Sequence, residues 1–323
     1  MPTRRAEYGR PDHFVLHLSD THLLPRYGRL YGRVDPSITV RRILAELDAT
    51  GTRPEALIFT GDLADHGDAA AYRTLRAIVE PVADRMGAQV IWCMGNHDRR
   101  EVFRQELLGQ VGNARPVDRV DDVNGLRVIT LDTTVPGEHW GHVTGDQLDW
   151  LAEELAVDAP HGTLLAMHHP PLPTIQDLAT LVELREQAGL AEVLEGSDVR
   201  QILAGHLHFS TAGTFAGIPV SVASATCYTQ DLTAAPRSTR PQDAAQSYNL
   251  VHVWGDVVLN SVVPVTGAPA LSWTSAEESE EILAEHGVVV PAAGSAAEPT
   301  RPDAVDTELQ AMTSPITLPR LPD

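Results

Sequence analysis

Five short clusters of aspartate, asparagine and histidine carry the residue types that bind metal ions in proteins. In chain order the clusters are Asp20-Thr-His22, Gly61-Asp62, Gly95-Asn-His-Asp98, His168-His169 and Gly205-His-Leu-His208. One such cluster alone is most often an ordinary turn, but five in succession are not expected by chance. Carboxylate and amide oxygens together with imidazole nitrogens suit first-row metals such as Mn, Fe and Zn. The sequence therefore predicts a metal centre assembled from all five clusters.

Each cluster directly follows a short apolar run that is typical of a buried β-strand. The five predicted strands cover residues 14–18, 56–60, 89–94, 163–167 and 199–203. Amphipathic helices separate them, including one that Pro36 opens and Gly51 closes, and another that starts with a capping box at Thr144 and Gln147. Because open α/β sheets place ligands beyond the carboxyl ends of their strands, we expect the clusters to converge on one site.

The alternation of strands and helices predicts an α/β fold in which helices cover one mixed sheet or two stacked sheets. A further strand over residues 126–131 ends at Asp132. Strand-like runs over residues 218–222 and 248–253 then complete the sheets.

The composition excludes several classes of protein. The chain has 323 residues with 24 Lys+Arg and 44 Asp+Glu, a formal net charge of −20, which disfavours binding to nucleic acid and anionic membranes. Two cysteines cannot build a disulfide framework, and no apolar run reaches the roughly 20 residues that cross a bilayer. The amino terminus lacks the apolar stretch of a signal peptide. We therefore expect a cytoplasmic protein with no transmembrane segment and no nucleic-acid partner.

The same features divide the chain into an amino-terminal extension over residues 1–12, a catalytic domain over 13–266 and a tail over 267–323. The tail contains ten acidic residues against two arginines, a net charge of −8, and six prolines follow residue 290. Such a sequence buries little apolar surface, so we expect the tail to be partly flexible. One amphipathic stretch over about 276–286 predicts a helix within it.

The ordered motifs resemble those of the calcineurin-like metallophosphoesterase family over residues 14–263. The segments Leu-Ser-Asp-Thr-His-Leu, Phe-Thr-Gly-Asp-Leu-Ala-Asp and Met-Gly-Asn-His-Asp look like those of class III cyclic nucleotide phosphodiesterases. Residues 168–173 and 224–231 are similar to the mycobacterial members of that class. The resemblance implies a four-layer α/β/β/α sandwich of two stacked mixed β-sheets flanked by helices.

The resemblance also implies a site with two metal ions per chain, Mn²⁺, Fe²⁺/Fe³⁺ or Zn²⁺. The implied ligands are Asp20, His22 and His208 for one metal, Asn96, His168 and His206 for the other, and Asp62 for both. His97 is the implied catalytic residue beside the leaving oxygen, and Asn96 and His208 also contact the substrate. Asp98, Asp132 and His169 are expected to lie around the ligands, with Asp98 holding His97.

The implied reaction is hydrolysis of 3′,5′-cyclic AMP and cyclic GMP to nucleoside 5′-monophosphates, by attack of a hydroxide that bridges the metals. One alternative is a broader phosphodiesterase that acts on 2′,3′-cyclic nucleotides or glycerophosphodiesters. A more distant alternative is a non-catalytic binding module, although every ligand position is filled. The resemblance further implies a homodimer. The envelope association of mycobacterial members is not expected here, because the tail differs and its negative charge opposes contact with anionic lipid.

Three further features have roles that the sequence leaves open. The histidine-rich loop over residues 137–142 either covers the site or lies apart from it. Arg26, Arg29 and Arg33 either attract an anionic substrate or lie on a solvated loop. His17 lies within a predicted strand, and we expect it to be a hydrogen-bonded core residue.

His206 and His208 raise a geometric question because they are two residues apart. On a regular extended strand, residues two positions apart place their side chains on the same face. A bend between His206 and His208 would point the two side chains in different directions. We expect the two histidines to serve different metals through a bend that Gly205 permits.

Overall fold

The computed structural model describes residues 3–294 of the chain. The described residues divide into two compact units, one over Pro11–Trp273 and one that combines residues 3–10 with residues 274–294. The described helices are α1 Pro36–Ala49, α2 Ala69–Met86, α3 Arg100–Leu107, α4 Gly145–Leu155, α5 Ala188–Leu194 and α6 Ala276–Glu285. The described strands are β1 Arg4–Arg5, β2 His13–Leu18, β3 Ala56–Thr60, β4 Gln89–Cys93, β5 Arg119–Val123, β6 Leu126–Leu131, β7 Thr163–Met167, β8 Val199–Ala204, β9 Thr211–Phe215, β10 Ile218–Val222, β11 Thr229–Gln230, β12 Pro241–Gln242, β13 Ser247–Val253, β14 Val258–Pro264 and β15 Val288–Val289.

Two mixed sheets form the larger unit. The first has the strand order β14-β13-β2-β3-β4, and the second has the order β5-β6-β7-β8-β10-β9. Strands β2, β3 and β4 run parallel to one another, and so do β6, β7 and β8. Antiparallel pairs lie on the flanks, where β13 pairs with β2 and β14 and where β5 pairs with β6. The parallel strands therefore form one end of the first sheet, where β4 is the edge strand, and the centre of the second sheet.

Alternate residues of the central strands face different layers, because successive side chains of a strand point to opposite faces. In β2, Leu16 and Leu18 belong to a core with helices α1, α2 and α3, whereas Val15 belongs to the core between the sheets. Leu164 and Leu203 of the second sheet complete that inter-sheet core. A third core joins the second sheet to α4 and α5. The predicted sandwich of two stacked mixed sheets flanked by helices is confirmed.

Local sequence signals fix the helix starts. Pro36 occupies the first turn of α1, and the Asp35 carboxylate accepts the N–H of Ser37 at 3.0 Å. Thr144 and Gln147 form both hydrogen bonds of a capping box at the start of α4, as predicted. These caps set where each helix begins after its strand, and so set the lengths of the loops between them.

The carboxyl ends of the parallel strands in the two sheets meet at one edge of the sandwich. His168, which follows β7, donates a hydrogen bond from Nδ1 to the carbonyl of Thr60 at the end of β3, with a length of 2.7 Å. Ser19, which follows β2, forms a bridge with Ala225 beyond β10. The Gly205 N–H, after β8, donates to the His168 carbonyl, and Asp98, after β4, accepts from the N–H of Leu63, after β3. These contacts hold the loops after β2, β3, β4, β7 and β8 together.

The smaller unit contains a parallel pair of strands and a helix among its described residues. Strand β1 pairs with β15, and α6 begins with a capping box formed by Ser275 and Glu278. Helix α6 matches the helix predicted over about 276–286. The rest of the predicted flexible tail, residues 295–323, lies outside the described residues. Within residues 3–294, no helix combines the length and the apolar character needed to span a bilayer.

His17 is fully buried on β2, on the side that faces the second sheet. Its Nε2 lies 2.9 Å from the hydroxyl of Thr60. The Asn249 amide lies 3.5 Å from its Nδ1 and also reaches the hydroxyl of Ser221 in the second sheet. Burial lowers the pKa of His17 to about 3, although the charge of Asp20 opposes this shift. The prediction of a hydrogen-bonded core histidine is confirmed.

We predict that His17→Gln makes the protein less sensitive to acid. The folded protein keeps His17 neutral down to about pH 3, whereas the unfolded chain takes up this proton near pH 6.5. Stability from the neutral ring is therefore complete above pH 6.5 and falls by about 1.4 kcal/mol per pH unit below it. Between pH 7 and pH 5, the unfolding free energy of the wild type should fall about 2 kcal/mol further than that of the variant.

Urea unfolding at a series of pH values measures this difference. His286→Gln, which changes an exposed histidine of the smaller unit, is the matched control and should keep the wild-type pH dependence. Equal pH dependence of the wild type and His17→Gln would contradict the assignment of a neutral buried ring.

Candidate metal centre

All five clusters converge at the edge where the two sheets meet. Among the described residues, potential ligand atoms lie within 4.8 Å of one another in four groups, and two of these groups share Asp62. The first group is Asp20, His22, Asp62 and His208, and the second is Asp62, His168 and His206. Asn96 joins the second group, because its Oδ1 lies 3.1 Å from His168 Nε2. The seven residues predicted as ligands therefore lie together, although they come from five separate loops.

The first group is the more deeply buried of the two. Asp20 Oδ1 lies 3.3 Å from His208 Nε2, and Asp62 Oδ2 lies 3.3 Å from His22 Nε2. The two Nε2 atoms of His22 and His208 face each other at 3.2 Å. All four side chains are at most 8% exposed. Four potential ligand atoms thus point into one small volume that the protein closes off from solvent.

The second group is open on one side. His168 Nε2 lies 3.4 Å from Asp62 Oδ2 and 3.2 Å from His206 Nδ1. His168 is fully buried, whereas Asn96 and His206 are half-buried. The difference in burial places the accessible face of the centre beside Asn96 and His206.

The hydrogen bonds of the first group test whether its residues suit a cation. His22 Nδ1 donates to Asp65 Oδ1 at 2.9 Å, and His208 Nδ1 donates to the carbonyl of Tyr228 at 2.9 Å. In a neutral imidazole the other nitrogen then carries a lone pair, so two lone pairs face each other across the gap. Asp20 Oδ1 is buried there and has no hydrogen-bond partner among the described residues. A cation between these atoms satisfies all of them, so the residues fit a metal ion.

The second group shows the same arrangement. His168 Nδ1 donates to the carbonyl of Thr60 at 2.7 Å, and His206 Nε2 donates to the carbonyl of Val182 at 2.9 Å. The remaining ring nitrogens, which carry lone pairs in the neutral form, face each other beside Asp62. Backbone carbonyls and carboxylates that fix the ring in this way are typical of histidine ligands to metals.

Two buried carboxylates make the centre strongly attractive to positive charge. Burial by itself lowers the pKa of His22 and His168, but hydrogen bonds and charges, above all those of Asp62, raise the pKa to about 10 and about 9. Burial raises the pKa of Asp62, yet the neighbouring His168 and His22 hold it well below its ordinary value. In the absence of other cations the centre takes up protons, which bound metal ions replace.

Five of the predicted ligands have left-handed backbone conformations that side-chain-bearing residues rarely adopt. Their φ angles are 54° for Asp20, 41° for His22, 50° for Asp62, 73° for His206 and 57° for His208. The bend between the last two ligands therefore lies at the histidines themselves, and the expectation of a bend at Gly205 is wrong, since that glycine is not left-handed. Such strain persists only where the surrounding structure enforces it, and it clusters at functional sites.

Gly95 and Gly205 are required because another loop packs closely against each of them. A Cβ at Gly205 would collide with the Ser19 hydroxyl and lie 2.7 Å from Asp20 Oδ2. A Cβ at Gly95 would collide with the backbone and carboxylate of Asp62. Both glycines let a neighbouring loop approach an acidic ligand directly, which explains the glycine in each of these clusters.

His97 lies at the open side of the centre without belonging to either ligand group. Its backbone N–H donates to Asp62 Oδ1 at 2.9 Å, and its ring Nδ1 donates to the carbonyl of Asp65 at 2.7 Å. Its Nε2 lies 4.0 Å from Asp62 Oδ2. The side chain is 29% exposed, so the ring is fixed in orientation and accessible from solvent.

Asp98 has a different role from the one expected. Its carboxylate accepts hydrogen bonds from the N–H groups of Leu63, Ala64 and Gly95 and from the hydroxyl of Tyr72. Burial and the charge of Asp62 raise the pKa of Asp98 to about 6. Among the described residues no hydrogen bond joins Asp98 to the His97 ring, because Asp98 turns inward to the backbone of the two loops. The expectation that Asp98 holds His97 is therefore wrong, and Asp65 holds it instead.

Asp132 and His169 support the loop over residues 137–142. Asp132 accepts hydrogen bonds from Arg100 Nε at 2.8 Å and from the Thr134 N–H at 2.9 Å, and it contacts neither ligand group. His169 donates from Nε2 to the carbonyl of His139 at 3.1 Å, and its ring packs 4.5 Å from the His206 ring. Burial lowers the pKa of His169 well below its ordinary value, so it stays neutral.

The sequence analysis missed two residues of the site, Asp65 and Tyr228, and left the position of a third, His139, open. Asp65 orients both His22 and His97, and its only signal was its position three residues after Asp62. Tyr228 holds His208 through its carbonyl, which no sequence pattern reveals. His139 Nδ1 lies 2.9 Å from Asn96 Nδ2, so the loop whose position was open does reach the site.

Comparisons with known proteins agree with the motifs. The family model described as calcineurin-like phosphoesterase matches residues 15–210. A probable cyclic nucleotide phosphodiesterase of Rhodococcus erythropolis is 61% identical over 265 residues, which cover 82% of this chain and 88% of that protein. A cAMP/cGMP dual specificity phosphodiesterase of Mycobacterium tuberculosis is 52% identical over 303 residues, covering 94% and 93%. A solved dimetal phosphatase from Danio rerio, at 15% identity, has a similar fold with a TM-score of 0.56 and covers 80% of this chain and 100% of that one.

We predict that Gly205→Ala impairs metal binding without unfolding the protein. The added methyl group has to displace Ser19 or the Asp20 carboxylate, so the affinity for Mn²⁺ should fall about 10- to 100-fold. Equilibrium dialysis against Mn²⁺ measures the affinity. Gly255→Ala is the matched control, since a Cβ there meets no atom within 4 Å. Unchanged Mn²⁺ affinity in Gly205→Ala would show that the close approach to Asp20 does not matter for metal binding.

Proposed function

Because this chain belongs to the calcineurin-like phosphoesterase family, we propose that it hydrolyses 3′,5′-cyclic AMP and cyclic GMP to nucleoside 5′-monophosphates. The observation that carries the proposal is the pair of ligand groups that share the Asp62 carboxylate. Two relatives that align with most of this chain are named as cyclic nucleotide phosphodiesterases, which supports this class of substrate.

We assign the ligands of two metal ions to the two groups. Asp20, His22 and His208 hold one ion, Asn96, His168 and His206 hold the other, and Asp62 contributes to both. Oxygen and imidazole ligands without thiolate suit Mn²⁺, Fe²⁺/Fe³⁺ or Zn²⁺. When bound, such a pair of ions supplies an activated water and neutralises the charge on the phosphoryl oxygens. The neutral amide of Asn96 limits the negative charge that faces an anionic substrate.

His97 is positioned to assist the leaving 3′ oxygen. Its Nδ1–H is fixed on the carbonyl of Asp65, which leaves Nε2 to carry a transferable proton toward the substrate. A ribose alkoxide is a poor leaving group, and protonation by a positioned acid accelerates its departure by typically 10²–10⁴-fold. Asp65 thus contributes by fixing the orientation of the His97 ring.

His139 and Asn96 form the accessible wall of the site. The His139 ring lies 5.2 Å from the His97 ring and contacts the Asn96 amide. Asn96 and His97 are half-buried and His139 is exposed, so these are the groups that a substrate meets from solvent. Together with His208 of the first group, Asn96 and His97 make up the proposed contacts to the phosphate. The homodimer implied by the resemblance stays a prediction.

A substrate panel tests the proposed activity. We expect the Mn²⁺-loaded protein to hydrolyse 3′,5′-cyclic AMP and cyclic GMP with higher kcat/KM than 2′,3′-cyclic AMP or a glycerophosphodiester. Asn96→Ala should lower kcat/KM at least about a hundredfold through loss of a ligand, and Asn113→Ala, away from both ligand groups, is its control. Faster hydrolysis of 2′,3′-cyclic AMP by tenfold or more would favour the broader phosphodiesterase. No metal-dependent turnover of any substrate would favour a binding module.

His97→Ala should affect poor leaving groups more than good ones. For 3′,5′-cyclic AMP we expect kcat to fall by about 10²–10⁴-fold, since the alkoxide then departs without a proton. For bis-p-nitrophenyl phosphate, whose nitrophenolate needs no proton, we expect a loss below about tenfold. His286→Ala, at an exposed position of the smaller unit, should leave both rates unchanged. Equal losses on the two substrates would restrict His97 to orienting its loop.

A further inference from the structure

Tyr31 occupies the tip of a tight turn that follows the first cluster. The Arg33 N–H donates to the carbonyl of Leu30 at 2.9 Å, which closes a four-residue turn. Both central residues are left-handed, with φ of 50° at Tyr31 and 66° at Gly32. Turns of this type favour Asn, Asp or Gly at both positions, and a bulky aromatic residue there is a genuine outlier. The backbone is therefore strained at the residue that carries the Tyr31 ring at the tip of the turn.

That ring is exposed and yet held against the site. Tyr31 is 66% exposed, and its ring meets the Tyr228 ring edge-on at a centroid distance of 5.1 Å. The Tyr228 ring in turn lies 4.4 Å from the ring of His208, and the Tyr228 carbonyl accepts the Nδ1–H of that histidine. Two ring contacts therefore connect an exposed aromatic surface with a proposed metal ligand.

A small apolar cluster fixes the base of this arrangement. Leu30 and Val34, which flank the turn, are buried together with Ala225 and Cys227, and Tyr228 packs against them. The turn and the segment before Tyr228 are thus anchored to each other. Unlike these buried residues, the Tyr31 ring at the tip of the turn is exposed, which is unfavourable for an aromatic side chain in water unless a ligand covers it.

We propose that Tyr31, backed by Tyr228, is the platform on which the nucleobase of the substrate stacks. The proposal rests on the function proposed above, in which the phosphate lies at the metal centre. The base of a cyclic nucleotide is separated from the phosphate by one sugar. Tyr31 is separated from His208 by the Tyr228 ring, at centroid distances of 5.1 Å and 4.4 Å. Stacking on an aromatic side chain accepts any base, because every base has a π-face. The platform therefore binds adenine and guanine alike, and selects nucleotides over diesters that lack a base.

The experiment compares two substrates that differ only in the base. These are 3′,5′-cyclic AMP and methyl riboside 3′,5′-cyclic phosphate, in which a methoxy group replaces adenine. We expect the wild type to have a KM about tenfold lower for cyclic AMP, and Tyr31→Asn to remove this difference with kcat almost unchanged. Asparagine tolerates the left-handed backbone, so this variant keeps the turn. Tyr31→Phe keeps the ring and should behave as the wild type, and Trp273→Ala controls for loss of another exposed aromatic residue.

The outcomes separate this proposal from the proposed function. If the wild type hydrolyses both substrates with equal KM, the phosphodiesterase activity stands and the platform is wrong. If Tyr31→Asn raises KM equally for both substrates, the residue acts on the sugar or phosphate, and the platform is again wrong. If the wild type hydrolyses neither substrate, the proposed function is wrong, and the platform, which depends on it, is wrong as well. A tenfold effect confined to cyclic AMP and absent in Tyr31→Phe would establish the platform.

Discussion

Two carboxylates and three imidazoles are buried against one another where the two sheets meet, and such a cluster is stable only with positive charge among its members. Asp20 and Asp62 are at most 2% exposed, and within residues 3–294 no hydrogen-bond partner meets Asp20 Oδ1. Burying ionised groups without compensation is costly, and the ring nitrogens of His22 and His208 face each other rather than any donor. The way these side chains pack therefore requires cations between them. Each ring is fixed from behind by a carbonyl or carboxylate, so the lone pairs cannot turn away.

The backbone conformations at the metal centre show that the rest of the fold holds the ligands in place. Five proposed ligands are left-handed, and each such residue costs on the order of 1–3 kcal/mol. The strands that end just before them are buried at all but one position in β2 and β8 and at every position in β3, and the loops after β3 and β4 are joined by the Asp98 carboxylate. The three apolar cores fix the strands, the strands fix the loops, and the loops hold the ligands in conformations that they would not adopt alone.

The surroundings of the centre separate a closed side from an open side. The first ligand group is buried, whereas Asn96, His97 and His206 are half-buried and His139 is exposed. A chain with a net charge of −20 repels anions in general, so an anionic substrate depends on local positive charge. Bound metal ions provide it at the centre. The exposed Arg29 and Arg33 flank the turn that carries Tyr31, which places further positive charge beside the exposed ring.

The sequence by itself determined the α/β class, the strands that carry the clusters, the caps of α1 and α4, and the identity of the seven residues that come together. The strands and helix caps follow from local rules, since strand periodicity and capping boxes can be recognised within a few residues. The set of seven ligands was instead implied by the resemblance of the ordered motifs to a known family. The sequence did not determine the inward turn of Asp98, the role of Asp65 in holding His97, or the contact of His139 with Asn96. It also misplaced the bend that separates His206 from His208. Each of these depends on which loop another loop packs against, and only the tertiary structure decides that, because the groups involved lie in loops that follow different strands.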